Sequence, residues 1–221
     1  EKFLAVFPNG TIRNPQKEVE LSGNIQEWSD GSGRSYAERI GVDDVAFINA
    51  LIDDLLAKFS VDKQRIYLTG FSNGASMTFR IGVELADRIA AIAPVAGILS
   101  VPPSTTNSPV SLLYISGSED KRPEIPSEKP SPASKNSVTM WAQALRCPNQ
   151  PEIGTKNTNV KTIRYAPCRE NSEVATYTVQ GMGHVYPGAQ TELWEQGADN
   201  PANDILNATD EAWDFFKRHK K

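Results

Sequence analysis

The feature that most constrains this sequence is a Gly-x-Ser-x-Gly pattern between two different secondary-structure signals. A β-branched and aromatic run at 65–69 leads into Gly70-Phe71-Ser72-Asn73-Gly74, and apolar residues at four-residue steps follow it. This order predicts a strand, a sharp turn and a helix, with Ser72 at the apex of the turn. Such a turn requires small residues beside the serine, and Gly70 and Gly74 meet that requirement.

A serine at this position is suited to nucleophilic attack. Its hydroxyl projects from the turn, and the backbone N–H of Asn73 lies at a helix N-terminus, where it can stabilise an oxyanion. In a chain of 221 residues the five-residue pattern arises by chance roughly one time in ten. The alternative interpretation is a glycine-rich turn that carries an ordinary surface serine.

The composition favours one globular domain over residues 1–221. Hydrophobic residues make up 39% of the chain, which is enough for a packed core. The net charge of −4 does not favour a nucleic-acid partner, and no apolar run approaches the ~20 residues that span a membrane. Two cysteines and one histidine outside the C-terminal tail argue against a structural zinc site, which needs four ligands, so we expect no metal.

Strand and helix signals alternate along the rest of the chain. The apolar run Phe3 to Phe7 predicts a buried strand of a parallel sheet, and residues 11–41 predict a long loop. The remaining strands are predicted at 89–97, 111–115, 160–165 and 174–179, and helices at 43–55, after Gly74, around 138–145 and from Thr209. This alternation predicts an α/β sandwich with a mostly parallel sheet.

Two polar residues follow strands at the edge of the sheet where Ser72 is expected. Asp120 comes after the strand 111–115, and His184 after the strand 174–179. Parallel sheets bind ligands beyond the carboxyl ends of their strands, and the order Ser72, Asp120, His184 is the one that an α/β-hydrolase triad requires. His184 would then be the general base, and Asp120 would orient it.

Alternatives remain for two of these assignments. Glu119 is adjacent to Asp120 and follows the same strand, although we favour Asp120 as the acid. His219 is the other histidine of the chain, but it lies in the charged tail after the last helix. Taken singly, Asp120 is equally consistent with a turn residue, and His184 with a histidine in a glycine-rich turn.

Several stretches together resemble the poly(3-hydroxybutyrate) depolymerase and feruloyl/acetylxylan esterase family. They are Asp43 to Ile48, Val61 to Gly74, Ala93 to Gly97, Gly181 to Gly188, and Asn207 to Thr209 with Trp213 to Phe216. The resemblance implies a secreted or periplasmic serine esterase with an α/β-hydrolase fold, a three-layer sandwich, and no cofactor. It also implies a disulfide between Cys147 and Cys168, which would otherwise be two unrelated thiols.

The expected substrate is an ester on a polysaccharide or a polyester. Feruloyl or acetyl esters of plant polysaccharide come first, 3-hydroxyalkanoate esters second, and a catalytically silent binding module is the alternative of another class. Trp28, Tyr186 and Trp194 would stack on a sugar or an aromatic acyl group, or would serve in packing.

Two departures from the family pattern bear on these expectations. Ser116 stands before Gly117, where the family usually has a histidine. A segment with further strands and the second oxyanion N–H normally precedes the position of Phe3. The resemblance therefore implies a domain that lacks its N-terminal strands here, with the missing part supplied by a preceding segment or a separate chain.

Overall fold

The computed structural model describes residues 2–20, 23–103, 108–120, 134–189 and 205–221. The strands are β1 (Thr11–Ile12), β2 (Gln26–Glu27), β3 (Tyr67–Phe71), β4 (Ala91–Val95), β5 (Ser111–Gly117), β6 (Glu152–Asn157), β7 (Val160–Tyr165) and β8 (Val174–Val179). The helices are α1 (Tyr36–Arg39), α2 (Asp44–Lys58), α3 (Asn73–Glu84), α4 (Ser134–Ala144) and α5 (Ala208–Phe216).

Within these residues the main sheet has six strands in the order β3-β4-β5-β8-β7-β6. The strands β3, β4, β5 and β8 run parallel, whereas β7 and β6 add an antiparallel hairpin. The carboxyl ends of β3, β5 and β8 therefore lie at one edge of the sheet. Ser72, Asp120 and His184 follow these three strands.

Both faces of the central strands are buried, which is why β4 and most of β5 are apolar in sequence. On one face, side chains of β4 and β5 pack with α2, α3 and α4, and this core includes Ile52, Phe79, Ile92, Leu112 and Trp141. On the opposite face the core packs against α5 and includes Val95, Leu113, Ile115, Phe215 and Phe216. The result is the three-layer sandwich of an α/β-hydrolase, and the predicted fold class is confirmed.

The predicted strand from Phe3 to Phe7 is wrong. These residues have no strand structure, and the side chain of Phe7 is 88% exposed. A buried strand needs a neighbour that satisfies its backbone N–H and C=O groups, and no described strand pairs with residues 3–7. Within this run, the ring of Phe3 lies 4.6 Å from that of Trp213.

Other differences from the prediction concern polar stretches. β6 was not predicted, because every one of its residues is exposed and apolar alternation is absent from it. It forms only because the hairpin with β7 supplies its hydrogen bonds. The predicted loop at 11–41 also contains β1, β2 and α1, which are all short.

A disulfide joins Cys147 to Cys168, as the sequence resemblance implied. It connects the segment after α4 to the segment before β8 and closes a loop with a sequence separation of 21 residues. A cross-link of this length stabilises the folded chain by about 3 kcal/mol, mainly by restricting the unfolded state. Of the helices in the described ranges, none has the length and apolar character needed to cross a membrane.

Candidate active site

Ser72 occupies a sharp turn between β3 and α3. Its backbone has φ 55° and ψ −119°, a left-handed conformation that is costly for a residue with a side chain. Ser72 is also the N-cap of α3, since its C=O accepts from Ser76 N at 3.0 Å, and its own N–H donates to Val95 O at 3.0 Å. The strand and the helix thus hold the partly buried hydroxyl in one position at the apex of the turn, as a nucleophile turn requires.

The two glycines of the motif have different roles. A Cβ on Gly70 would collide with the backbone carbonyl of Gly74 and with Thr78 Oγ1. A Cβ on Gly74 would meet no described atom within 4 Å. The expectation that both flanking residues must be small is therefore correct for Gly70 and wrong for Gly74, because only Gly70 lies where the strand and the helix cross.

Alanine substitutions should separate these two glycines. We expect Gly70→Ala to destabilise the fold by about 2 kcal/mol or more, because overpacking here displaces the backbone of α3. Gly74→Ala should lower the free energy of unfolding little or not at all, since alanine has a higher helix propensity than glycine. Urea denaturation of both variants measures the free energy of unfolding. Equal destabilisation would contradict the conclusion that only Gly70 must be small.

The structure brings Ser72, His184 and Asp120 together. His184 Nε2 lies 2.9 Å from Ser72 Oγ, and His184 Nδ1 lies 2.8 Å from Asp120 Oδ2. The side chains of His184 and Asp120 are only 9% and 10% exposed, so water competes little for these bonds. Since an ionised carboxylate only accepts, Nδ1 carries the proton and Nε2 is free to accept from the Ser72 hydroxyl.

The loops that carry the acid and the base are joined to each other. Glu119 N donates to Met182 O at 2.9 Å, and Gly181 N donates to Ser118 Oγ at 2.9 Å. Gly117 allows this approach, because a Cβ there would collide with the Met182 carbonyl. Glu119 itself is exposed and holds this junction through its backbone, so the carboxylate that the structure places on His184 is that of Asp120.

His219 lies at a different place in the fold. Its Nε2 is 3.0 Å from Glu173 Oε1, and its ring packs 4.5 Å from that of Phe215. Burial alone would raise the pKa of Glu173, but hydrogen bonds from His219 and Arg164 and the charge of Arg218 outweigh it and lower the pKa from 4.5 to about 2. His219 therefore belongs to an ionic cluster that fixes the C-terminal segment.

One aromatic side chain packs on the histidine, and a second packs on the first. The ring of Phe71 lies 4.8 Å from that of His184 and 6.1 Å from that of Tyr186. The Tyr186 hydroxyl is 3.0 Å from Thr209 Oγ1, so its ring is fixed against the start of α5. Phe71 was not singled out from the sequence, although an aromatic residue directly before the serine was a usable signal.

The other two predicted aromatic residues are placed differently. Trp28 is partly buried, and its ring stacks on that of Phe47 at 6.3 Å between centroids. Its side chain packs against the core that α2 and α3 share, while its backbone contacts Asn73. Trp194 lies outside the described residues.

Comparisons with known proteins identify relatives of this chain. Among the curated relatives that match, a bifunctional acetylxylan esterase/xylanase of Neocallimastix patriciarum is 26% identical over 88% of this chain. Feruloyl esterase B of Piromyces equi is 31% identical over 64% of this chain. Poly(3-hydroxyalkanoate) depolymerase C of Paucimonas lemoignei is 25% identical over 84% of this chain. The chain spans only 26%, 29% and 48% of the lengths of these three proteins.

A solved structure supports the fold. The acetyl xylan esterase from Aspergillus awamori superposes with a TM-score of 0.52 at 16% identity, over 74% of this chain and 69% of that one. The family model described as phospholipase/carboxylesterase matches residues 4–142, which is more than half of the sequence. The chain therefore belongs to the phospholipase/carboxylesterase family of α/β-hydrolases.

Proposed function

We propose that this protein is a carboxylic ester hydrolase that works through an acyl-enzyme on Ser72. The observation that carries the proposal is the pair of hydrogen bonds that join Ser72 Oγ to His184 at 2.9 Å and His184 to Asp120 at 2.8 Å. A serine hydroxyl is a weak nucleophile until a base accepts its proton. His184 is placed to act as that base, and Asp120 to stabilise the imidazolium that forms.

In the proposed reaction, Ser72 Oγ attacks the ester carbonyl carbon while its proton passes to His184 Nε2. The carbonyl oxygen becomes an oxyanion, and the Asn73 N–H at the start of α3 donates to it. The tetrahedral intermediate then expels the alcohol, which takes the proton from His184. Water repeats the sequence on the acyl-enzyme and releases the acid.

The substrate class that we propose is a feruloyl or acetyl ester of plant polysaccharide. Phe71, which packs on His184, and Tyr186, which packs on Phe71, would offer aromatic surface for a planar acyl group or a sugar. The names of two relatives, an acetylxylan esterase/xylanase and a feruloyl esterase, support the same choice. Trp194 stays a proposed substrate residue, whereas the packing of Trp28 on Phe47 favours a structural role for its ring.

Hydrolysis of 3-hydroxyalkanoate polyesters is the second candidate. It uses the same three residues, and the relative named as a poly(3-hydroxyalkanoate) depolymerase supports it. A catalytically silent binding module is the remaining alternative. We also propose that the protein works outside the reducing cytoplasm, because the Cys147–Cys168 disulfide persists in oxidising compartments.

Labelling followed by a substrate panel tests the proposal. A fluorophosphonate should leave one adduct, on Ser72, when the folded protein is digested and its peptides are mapped by mass. Release of acid from methyl ferulate, acetylated xylan and 3-hydroxybutyrate oligomers is then compared. We expect kcat/KM for the first or second substrate to exceed that for the oligomers by about tenfold or more. Fastest release from the oligomers would favour the depolymerase, and absence of an adduct would favour the silent module.

A further inference from the structure

The side chain of Asn73 uses its hydrogen-bonding groups on a distant segment of the chain. Its Oδ1 accepts from Trp28 N at 2.6 Å, and its Nδ2 donates to Trp28 O at 3.1 Å and to Asp30 Oδ2 at 3.0 Å. An Asn side chain usually bonds to the backbone of its own turn. Here it bonds to both the backbone N–H and the backbone C=O of Trp28, a residue that lies 45 positions earlier.

The segment that Asn73 holds, residues 28–32, is itself fixed. Asp30 is 2% exposed, and its Oδ1 accepts from the N–H and the hydroxyl of Ser32. Ser29 N donates to Asp44 Oδ2 at 2.7 Å, and Arg80 Nη1 donates to Ser29 O at 2.6 Å. Since Asp44 belongs to α2 and Arg80 to α3, this segment is anchored to both helices and provides a firm support for Asn73.

The chemistry of the contact requires an amide at position 73. The amide accepts at one end and donates twice at the other, where a backbone carbonyl and the Asp30 carboxylate both need donors. A carboxylate of the same shape would still accept from Trp28 N. Its second oxygen, however, would face two acceptors, one of them charged, and would repel both.

We propose that the Asn73 carboxamide is a positioning group that holds the oxyanion-binding peptide of α3 against residues 28–32. This rests on the proposed function, in which the backbone N–H of the same residue stabilises the oxyanion. An oxyanion donor acts only if its N–H is already aimed at the developing charge. The Trp28 backbone and Asp30 hold the Asn73 side chain and thereby fix the orientation of the Asn73 N–H. Asn73 therefore contributes to oxyanion stabilisation through its side chain as well as through its N–H.

The test is Asn73→Asp, alone and combined with Asp30→Asn. The single variant should lower kcat for the best ester of the panel by about 10- to 100-fold, because the oxyanion donor is misoriented. KM should change little, because substrate binding is unaffected. In the double variant the new amide at position 30 donates to the new carboxylate at position 73. Activity should return to within about fivefold of wild type, the remaining loss reflecting the lost bond to Trp28 O and the repulsion between that carbonyl and the new carboxylate.

Asn24→Asp is the matched control. Asn24 also accepts from one backbone N–H, that of Asn14, and donates to the carbonyls of Asn14, Lys17 and Glu18. The same chemical change therefore breaks hydrogen bonds within residues 14–24, none of which involves a triad residue, and it should leave kcat unchanged. Asn73→Ala, which keeps the backbone N–H, replaces the single variant should that one fail to fold.

Amide hydrogen exchange over residues 28–32 gives a second readout that does not depend on activity. Exchange should rise in Asn73→Asp and fall again in the double variant. Wild-type kcat in Asn73→Asp, or a loss that Asp30→Asn does not recover, would overturn the inference while leaving the proposed function intact. Failure of the wild-type protein to cleave any ester would overturn the proposed function, and the catalytic role of the carboxamide with it.

Discussion

Replacing Ser72 with alanine lowers kcat for ester hydrolysis by about 10⁴-fold or more, the loss expected when the nucleophile of a serine triad is removed. The side chain contributes one oxygen, which in the proposed mechanism forms the acyl-enzyme bond. His184 and Asp120 remain in Ser72→Ala, but without the hydroxyl they have no attacking group to activate. Initial rates on the best ester of the panel, together with fluorophosphonate labelling, measure the effect.

Ser60→Ala is the control for this experiment, because Ser60 is an exposed serine that follows α2. It should keep wild-type rates and wild-type labelling. Circular dichroism and thermal unfolding of both variants establish that the fold is retained. If Ser72→Ala kept a tenth of the wild-type rate, or if it still took up the label, Ser72 would not be the nucleophile.

Much of the fold was predictable because its signals are local. β7 and β8 begin and end at the predicted residues, since each has the composition and alternation typical of strands. The helix α2 begins after Asp43, whose side chain accepts from Ala46 N at 2.9 Å. An acidic N-cap residue of this kind can be recognised from the sequence. Apolar periodicity likewise placed α3 and α5.

The errors arose where structure depends on a distant partner. An apolar run such as Phe3 to Phe7 predicts a strand, yet a strand exists only where another segment completes its hydrogen bonds. β6 shows the opposite case, since its pairing with β7 overrides an exposed and polar sequence. Local strand propensity decides neither the absence of a strand at residues 3–7 nor the presence of β6, because pairing within the sheet determines both.

The same distinction applies to the candidate site. Ser72, Asp120 and His184 could be singled out because each follows a strand whose place in the sheet is predictable. The contact of the Asn73 side chain with Trp28 could not be, because no local pattern links residues that are 45 positions apart. The aromatic contact of Phe71 with His184 joins residues that lie even farther apart in the chain.

Asp120→Asn should lower kcat by about 10⁴-fold, whereas Glu119→Gln should leave it within about twofold of wild type. Both substitutions exchange a carboxylate for an amide at adjacent positions, so they form a matched pair. Asp120 Oδ2 is 2.8 Å from His184 Nδ1, and an amide there can present its N–H to the ring. His184 would then carry its proton on Nε2, which could no longer accept from Ser72.

Steady-state rates on one ester, with the fraction of labelled Ser72 after a fixed time with fluorophosphonate, distinguish the two variants. KM should change little in Asp120→Asn, because the carboxylate acts on the imidazole and not on the substrate. Since Glu119 contributes to the junction with Met182 through its backbone N–H, Glu119→Gln preserves that bond. The reverse result, a large loss for Glu119→Gln and a small one for Asp120→Asn, would assign the acid to Glu119 and would require the loop after β5 to rearrange during catalysis.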